Sequence, residues 1–315
     1  MFTSPRKGAI GAIATIMVLA ACTGGGTSPS ASASTAQSNA ATPTAVPTPV
    51  ANVPDLELVV PRNLFACIDI PYPPQEAFDE NGTPIGSDVD IAAAIAQKLG
   101  LKFDSAHVQN TVFAVIIPAL DGGKCDIIVS AQNINADRLK QVDMVPYFKA
   151  GQAIVVAKGN PKGIKTKTDL CGNTVAVQNG TTELDYLQGT SDYKGAGLSD
   201  ACVKAGKQPI TIHQFDKDSD ALLDLQSGKA DAYFADSPAA GYAVTQQADQ
   251  FELSGITLEV AIEGISVAKN HTKLRDGVKA ALLAMISDGT YANILKKWGL
   301  EDGGLTADQV NSGKL

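Results

Sequence analysis

The pattern Leu-x-x-Gly-Lys-x-Asp occurs twice in this chain, once in each half of the region that reads as folded. Leu120-Asp121-Gly122-Gly123-Lys124-Cys125-Asp126 runs into Ile127-Ile128-Val129, and Leu225-Gln226-Ser227-Gly228-Lys229-Ala230-Asp231 runs into Ala232-Tyr233-Phe234. Each reads as a helix end, a Gly stop and a short buried strand. Five residues beyond each Asp, at Ala131 and at Asp236, the strand should give way to a loop. Open α/β sheets hold ligands at the carboxyl ends of their strands. Two such ends, one per half, imply two similar lobes facing each other across a cleft. Taken alone, the pattern is equally consistent with a common helix–turn–strand element used twice.

The first 21 residues read as a signal peptide rather than structure. Arg6 and Lys7 give a positive start, and Ile10 to Ala20 form an apolar stretch too short to span a bilayer. Leu19-Ala20-Ala21-Cys22 resembles the bacterial lipobox, in which Cys22 is lipidated and becomes the mature N-terminus; ordinary cleavage after Ala21 is the alternative. After Cys22, residues 23–53 are mostly Ser, Thr, Ala, Gly and Pro with no charge at all, which cannot offset the entropy of ordering and predicts a disordered tether over residues 22–53. No later segment approaches the ~18 apolar residues of a transmembrane helix.

Removing Arg6 and Lys7 with the leader takes the formal charge from -8 to -10, which argues against a nucleic-acid partner. Hydrophobic content of 44% with only 5% aromatics suits an Ala/Ile/Leu/Val α/β core. Export permits disulfides. Cys171 and Cys202, each beside a turn signal in the second half, are the expected pair; Cys67 and Cys125, on or beside apolar strand runs, are expected to be buried free thiols. His107, His213 and His271 are scattered and no CxxC or HxxxH spacing exists, so no metal site and no cofactor are expected.

Along the chain, Leu64–Ile70 reads as a first buried strand closed by Pro71-Tyr72-Pro73-Pro74. Asp88 or Asp90 can cap a helix with Ile91, Ala94, Ile95 and Leu99 on one face and Gly100 as its stop. Phe113, Ile116, Ile117 and Leu120 predict a helix that Pro118 keeps short. After Gln152–Val156 the alternation repeats, with strands at Thr174–Val177, Ile210–Phe215 and Ala232–Phe234, predicting parallel sheets in both lobes. Beyond Ile256 one strand and two helices are too little for a third lobe, so the chain should return to complete the first. That gives lobe 1 as residues 54–149 and 264–315, lobe 2 as 150–263, and two strands crossing between them as a hinge.

Arg138 stands just beyond the first repeated strand, where a guanidinium fork at a cleft would match a carboxylate, with Asn133 and the backbone of Ala131 beside it. A surface Arg paired with Asp137 or Asp143 is the plainer reading. Gly180-Thr181-Thr182 falls at a strand-to-helix turn that favours an anion or simply caps a helix. Asp236 ends the second repeated strand, where a carboxylate can hold an ammonium or cap the next helix. Together they complement an α-amino acid zwitterion.

These residues, in this order, resemble the family 3 extracellular solute-binding proteins, the receptors of polar amino-acid ABC importers, over roughly residues 56–300. The resemblance is carried by Asp69-Ile70-Pro71-Tyr72-Pro73-Pro74, Gly86-Ser87-Asp88-Val89-Asp90-Ile91, Asp137-Arg138, Gln178-Asn179-Gly180-Thr181 and Lys297-Trp298-Gly299-Leu300. It implies a type II periplasmic-binding-protein fold, each lobe a mostly parallel sheet flanked by helices. It further implies that Arg138, Ala131 and Asn133 bind an α-carboxylate, helped by Thr181 and Thr182, while Asp236 takes the α-ammonium. Tyr72 and Phe113 would be aromatic walls, Asp69 would face the ligand side chain, and Gln178 joins the ligand shell. The family usually has Gly at Ala131, Thr or Ser at Asn133 and Asn135, and an aromatic at Gln75, so the pocket should be more polar than the family pattern.

The implied protein is a non-enzymatic monomer, anchored outside the cytoplasm by lipid at Cys22. It would close on a polar amino acid, glutamine-like or basic, and deliver it to a permease. A sensor read by a membrane signalling protein, or an enzyme resembling cyclohexadienyl dehydratase, are the alternatives.

Overall fold

The computed structural model describes residues 56–189, 197–256, 258 and 260–315. The signal peptide, Cys22 and the linker lie outside the described residues. In chain order the elements are β1 (Ala66–Ile68), β2 (Ala77–Phe78), β3 (Pro84–Ile85), α1 (Ser87–Leu99), β4 (Val108–Asn110), α2 (Ile116–Asp121), β5 (Ile127–Ile128), α3 (Ala136–Gln141) and β6 (Val142–Ala157). There follow β7 (Thr174–Gln178), α4 (Thr182–Gln188), α5 (Leu198–Lys204), β8 (Thr211–Phe215), α6 (Asp218–Gln226), β9 (Ala232–Asp236), α7 (Ser237–Gln246) and β10 (Phe251–Leu253). The chain closes with β11 (Val260–Ala268), α8 (Thr272–Ser287), α9 (Thr290–Trp298) and α10 (Ala307–Ser312).

The strand order is β4-β1-β5-β11-β6-β9-β7-β8, with β10 on β6 and β2 paired to β3 alone. β1 runs parallel to β4 and β5, and β7 parallel to β8 and β9. The strands between these groups are antiparallel: β11 to β5 and β6, and β6 to β9 and β10. The sheet of each lobe is thus mostly parallel, as expected, with antiparallel strands joining the parallel blocks. β6 is 16 residues long and serves both lobes. Its first part pairs with β11 as far as Gly151↔Val260, and from Gln152↔Asp236 it pairs with β9. The buried apolar clusters divide accordingly. One pair of clusters draws on residues 56–150 and 262–310, the other on 154–258.

The repeated pattern has one job in both lobes. Gly123 and Gly228 adopt left-handed φ values of 70° and 72°, which ends the helix and turns the chain without a Cβ penalty. Asp126 then exchanges backbone and side-chain bonds with Phe65 at the start of β1: its N–H donates to Phe65 O (2.8 Å) and its Oδ2 accepts Phe65 N–H (2.7 Å). Asp231 does the same with Thr174 at the start of β7, at 2.8 and 2.9 Å. Each Asp thus fixes register at the amino end of neighbouring parallel strands, and the opposite strand ends face the cleft.

Two expectations about lobe 1 are corrected. Cys67 and Cys125 form a disulfide rather than remaining free, with Cα atoms 5.6 Å apart. β1 and β5 are adjacent, with Cys67 level with Ile128, so the α2–β5 turn carries Cys125 to Cys67. Cys171 and Cys202 are also joined, Cα to Cα 5.5 Å. The α1 N-cap is Gly86, not Asp88 or Asp90, and a Cβ there would meet Gln75 O at 2.0 Å. Asp90 instead accepts from Trp298 Nε1 and Lys297 Nζ, both at 2.7 Å, tying α9 to α1. Asp88 is buried behind the cleft.

Candidate functional site

The ten residues singled out as ligand-binding all line one cavity between the lobes: Asp69, Tyr72, Phe113, Ala131, Asn133 and Arg138 from lobe 1, and Gln178, Thr181, Thr182 and Asp236 from lobe 2. Lobe 1 places its set in the segments that follow β1, β4 and β5. Ala131 follows the end of β5 at φ 43°, in the left-handed region that a Cβ disfavours. Its N–H is held by Asp88 Oδ2 (2.9 Å) and by Tyr147 Oη (3.2 Å). Tyr147 in turn donates to Asp88 (2.8 Å) or Glu263 (3.2 Å), a framework that packs the hinge strands against the back of the cavity. Gln75 belongs to that framework: it is buried outside the lining and donates Nε2–H to Glu263 Oε2 at 2.7 Å, so its polarity is used in the hinge rather than in the pocket.

Asn135 caps α3 by accepting the Arg138 N–H at 2.8 Å, which sets where the Arg138 side chain begins. Arg138 is buried. Its Nη1–H donates to Asn133 O (2.6 Å), its Nη2–H reaches across to Gly180 O (2.9 Å), and its guanidinium lies 5.3 Å from the Phe113 ring centre. Asp143 pairs with Lys269 and Arg275.

Lobe 2 supplies the facing wall from β7, α4 and the end of β9. Thr181 caps α4 by accepting Leu184 N–H at 3.2 Å. The Thr182 hydroxyl accepts Nδ2–H of Asn133 across the cleft (2.8 Å) and Nε2–H of Gln152 (3.0 Å). Asp236 exchanges bonds with Tyr72 of lobe 1: its Oδ2 accepts the Tyr72 hydroxyl at 3.1 Å, and its N–H donates back at 3.0 Å. Gln178 donates Nε2–H to Asp69 Oδ2 at 2.6 Å. The lobes therefore meet through polar side chains, and Arg138 and Asp236 share one gap.

Three further lining residues escaped sequence reasoning: Glu76, Ser130 and Glu183. Ser130 accepts the Asp69 N–H at 3.0 Å. Glu76 is buried with Asp88 and Ser130 as neighbours, and neither of its oxygens receives a well-formed hydrogen bond. Glu183 lies against Asp236, carboxyl to carboxyl, and its Oε1 is likewise without a donor. An acid after a Pro-rich turn, or in a first helical turn, is ordinarily a solvated residue, so nothing local marks either one.

The lining thus carries four carboxyls and one guanidinium. Burial is the first cause of every shift among them. It pushes Asp236 up to about 7, with the charge of Glu263 adding to the effect. It raises Glu183 and Glu76 well above the carboxylate range, reinforced by Asp236 and by Asp88 respectively. Asp69 is raised less, because Lys217 and Gln178 stabilise its charged form. Such a site calls for an occupant that brings cations and N–H donors. Among the described residues no cluster of His, Cys, Asp and Glu is arranged to hold a metal, and no helix is long and apolar enough to cross a membrane.

Comparison with known proteins bears on the same region. The arginine-binding protein ArgT of Corynebacterium glutamicum is 30% identical over 276 residues, covering 86% of this chain and 86% of that protein. An ancestral arginine-binding protein solved with arginine is 37% identical, with a TM-score of 0.66 over 75% of this chain and 98% of the other. One solved with glutamine is 36% identical, with a TM-score of 0.67 over 77% and 100%. Residues 64–301 match the family model itself, and with it this chain belongs to the bacterial extracellular solute-binding proteins, family 3.

Proposed function

We propose that the protein is a lipid-anchored, monomeric extracytoplasmic receptor that closes on a polar amino acid and delivers it to the permease of an ABC importer. The observation that carries this reading is the interlobe cavity in which Arg138 and Asp236 face a common space. Arg138 takes the α-carboxylate with Ala131, Asn133, Thr181 and Thr182 around it, and Asp236 takes the α-ammonium. Tyr72 and Phe113 flank the aliphatic part. The surplus of carboxyls favours a side chain that donates hydrogen bonds or carries positive charge, as in glutamine or arginine. The names of the relatives, bound to arginine and glutamine, point the same way. Cys22 holds the receptor at the cell membrane through lipid, and the linker to residue 53 gives it reach.

A micromolar site needs about −8 kcal/mol, which a charge-assisted pair at each end and several hydrogen bonds can supply. The test is a thermal-shift screen of the twenty amino acids, since a ligand bound only by the folded state raises its melting temperature. Arginine or glutamine should raise it by several degrees, and Arg138→Ala should abolish the rise while the protein still unfolds cooperatively. No response to any amino acid, or an undiminished response in the variant, would remove the proposal.

A further inference from the structure

Lys217 stands on the loop between β8 and α6, in the lobe opposite Asp69. Its ammonium donates to Asp69 Oδ1, to the carbonyl of Ile70 at 3.0 Å and to Asn110 Oδ1 at 3.3 Å. Gln178, from the same lobe as Lys217, occupies the other oxygen of Asp69. Both oxygens of a carboxylate that lines the cavity are therefore met by donors from across the cleft. The Asp69 side chain is 4% exposed while that of Lys217 keeps 26%, so the pair has a dry end at the cavity and a wet end at the surface. An interlobe ion pair built from protein atoms alone favours approach of the lobes whatever fills the gap. It also places a fixed positive charge beside the residue that would otherwise meet a cationic side chain.

We propose that Lys217 is a built-in cation that latches the two lobes through Asp69 and tempers the cleft's preference for cationic over neutral side chains. The proposal rests on the amino-acid receptor reading given above and assigns a specificity role within that site. With Lys217 in place, Asp69 serves closure, and Glu76 is the acceptor left for a ligand's distal donor groups. Removing the ammonium returns one unit of negative charge to the cavity wall. At separations of several ångströms and an effective dielectric near 20, that change is worth about tenfold or more in the relative affinity of a cation.

The test compares wild type, Lys217→Met and Lys217→Arg by titration calorimetry with arginine and with glutamine, and by small-angle scattering of the protein without added amino acid. Lys217→Met should raise the arginine-to-glutamine affinity ratio about tenfold and increase the radius of gyration, while Lys217→Arg stays near wild type in both. A ratio that moves less than about twofold in Lys217→Met, or moves equally in Lys217→Arg, would overturn the specificity role. An unchanged radius in Lys217→Met would overturn the latch. If wild type binds neither amino acid, the receptor reading fails separately and scattering still decides the latch. Lys217→Gln is read in the same way should the Met variant be insoluble.

Discussion

Ala131 is a residue in an uncomfortable backbone state, φ 43°, held there by the buried Asp88 carboxyl and the Tyr147 hydroxyl. The arrangement shows how the cavity is positioned: side chains outside the lining fix the loop that carries Asn133 and Arg138. Asp236 is the residue whose role is most directly testable. Asp236→Asn removes a charge from the carboxyl pair with Glu183 but keeps the shape, so it should weaken a whole amino acid by about 1.5–3 kcal/mol, the range of a charged hydrogen bond. Its deaminated analogue should lose little; equal losses by calorimetry would show that the ammonium sits elsewhere. Arg138 and Asp236 were legible because Asp236 ends one repeated strand and Arg138 follows the loop after the other, at strand ends where ligands are held. Glu76, Glu183 and Lys217 were not, since their importance comes from burial and from partners such as Asp69, 148 positions away in sequence in the case of Lys217.

At the scale of elements, the turn between β7 and α4 sets how near the lobes can come. Gly180 has φ 77°, and a Cβ on it would stand 2.9 Å from the Ala114 Cα of lobe 1. Backbone rather than a flexible side-chain end opposes it, so the lobes themselves must yield. Gly180→Ala should therefore cost about tenfold in ligand affinity through the interlobe clash, within the ~1–3 kcal/mol of overpacking a filled contact, while its left-handed φ costs folding stability a further ~1–2 kcal/mol. Adding Ala114→Gly should recover little of that loss, because it removes the Ala114 Cβ at 3.3 Å but leaves the Cα at 2.9 Å; calorimetry on the single and double variants decides it. Helices and strands such as α1 and β9 were readable from local pattern and Gly punctuation. The antiparallel seating of β6 and β11 and the Cys67–Cys125 bridge were not, because each depends on a partner 58 or more residues distant.

For the whole molecule, the buried carboxyls make folding depend on pH in an unusual direction. Unfolded Asp and Glu ionise near about pH 4. In the fold, burial pushes Asp88 up to about 6, Asp218 and Asp236 to about 7 and Glu263 to about 8. Between those limits the folded chain binds more protons than the unfolded one, so these groups make stability fall as pH rises, and their contribution is fully lost above about 8. Without added amino acid, the melting temperature should drop by several degrees from about pH 5 to about pH 8. Arginine, which supplies the missing positive charge, should raise it more at the higher pH. A melting temperature that climbs across this interval would contradict the assignment.

The two disulfides carry a mechanical consequence. Cys67–Cys125 closes wholly within lobe 1 and Cys171–Cys202 wholly within lobe 2, so among the described residues no covalent cross-link bridges the gap. Oxidation stiffens each jaw by restricting its unfolded forms, roughly 4 kcal/mol per bridge on the loop-entropy view, yet leaves the joint untouched. Reductant should soften the halves individually while the swing of one against the other, carried by β6 and β11 alone, keeps its full travel.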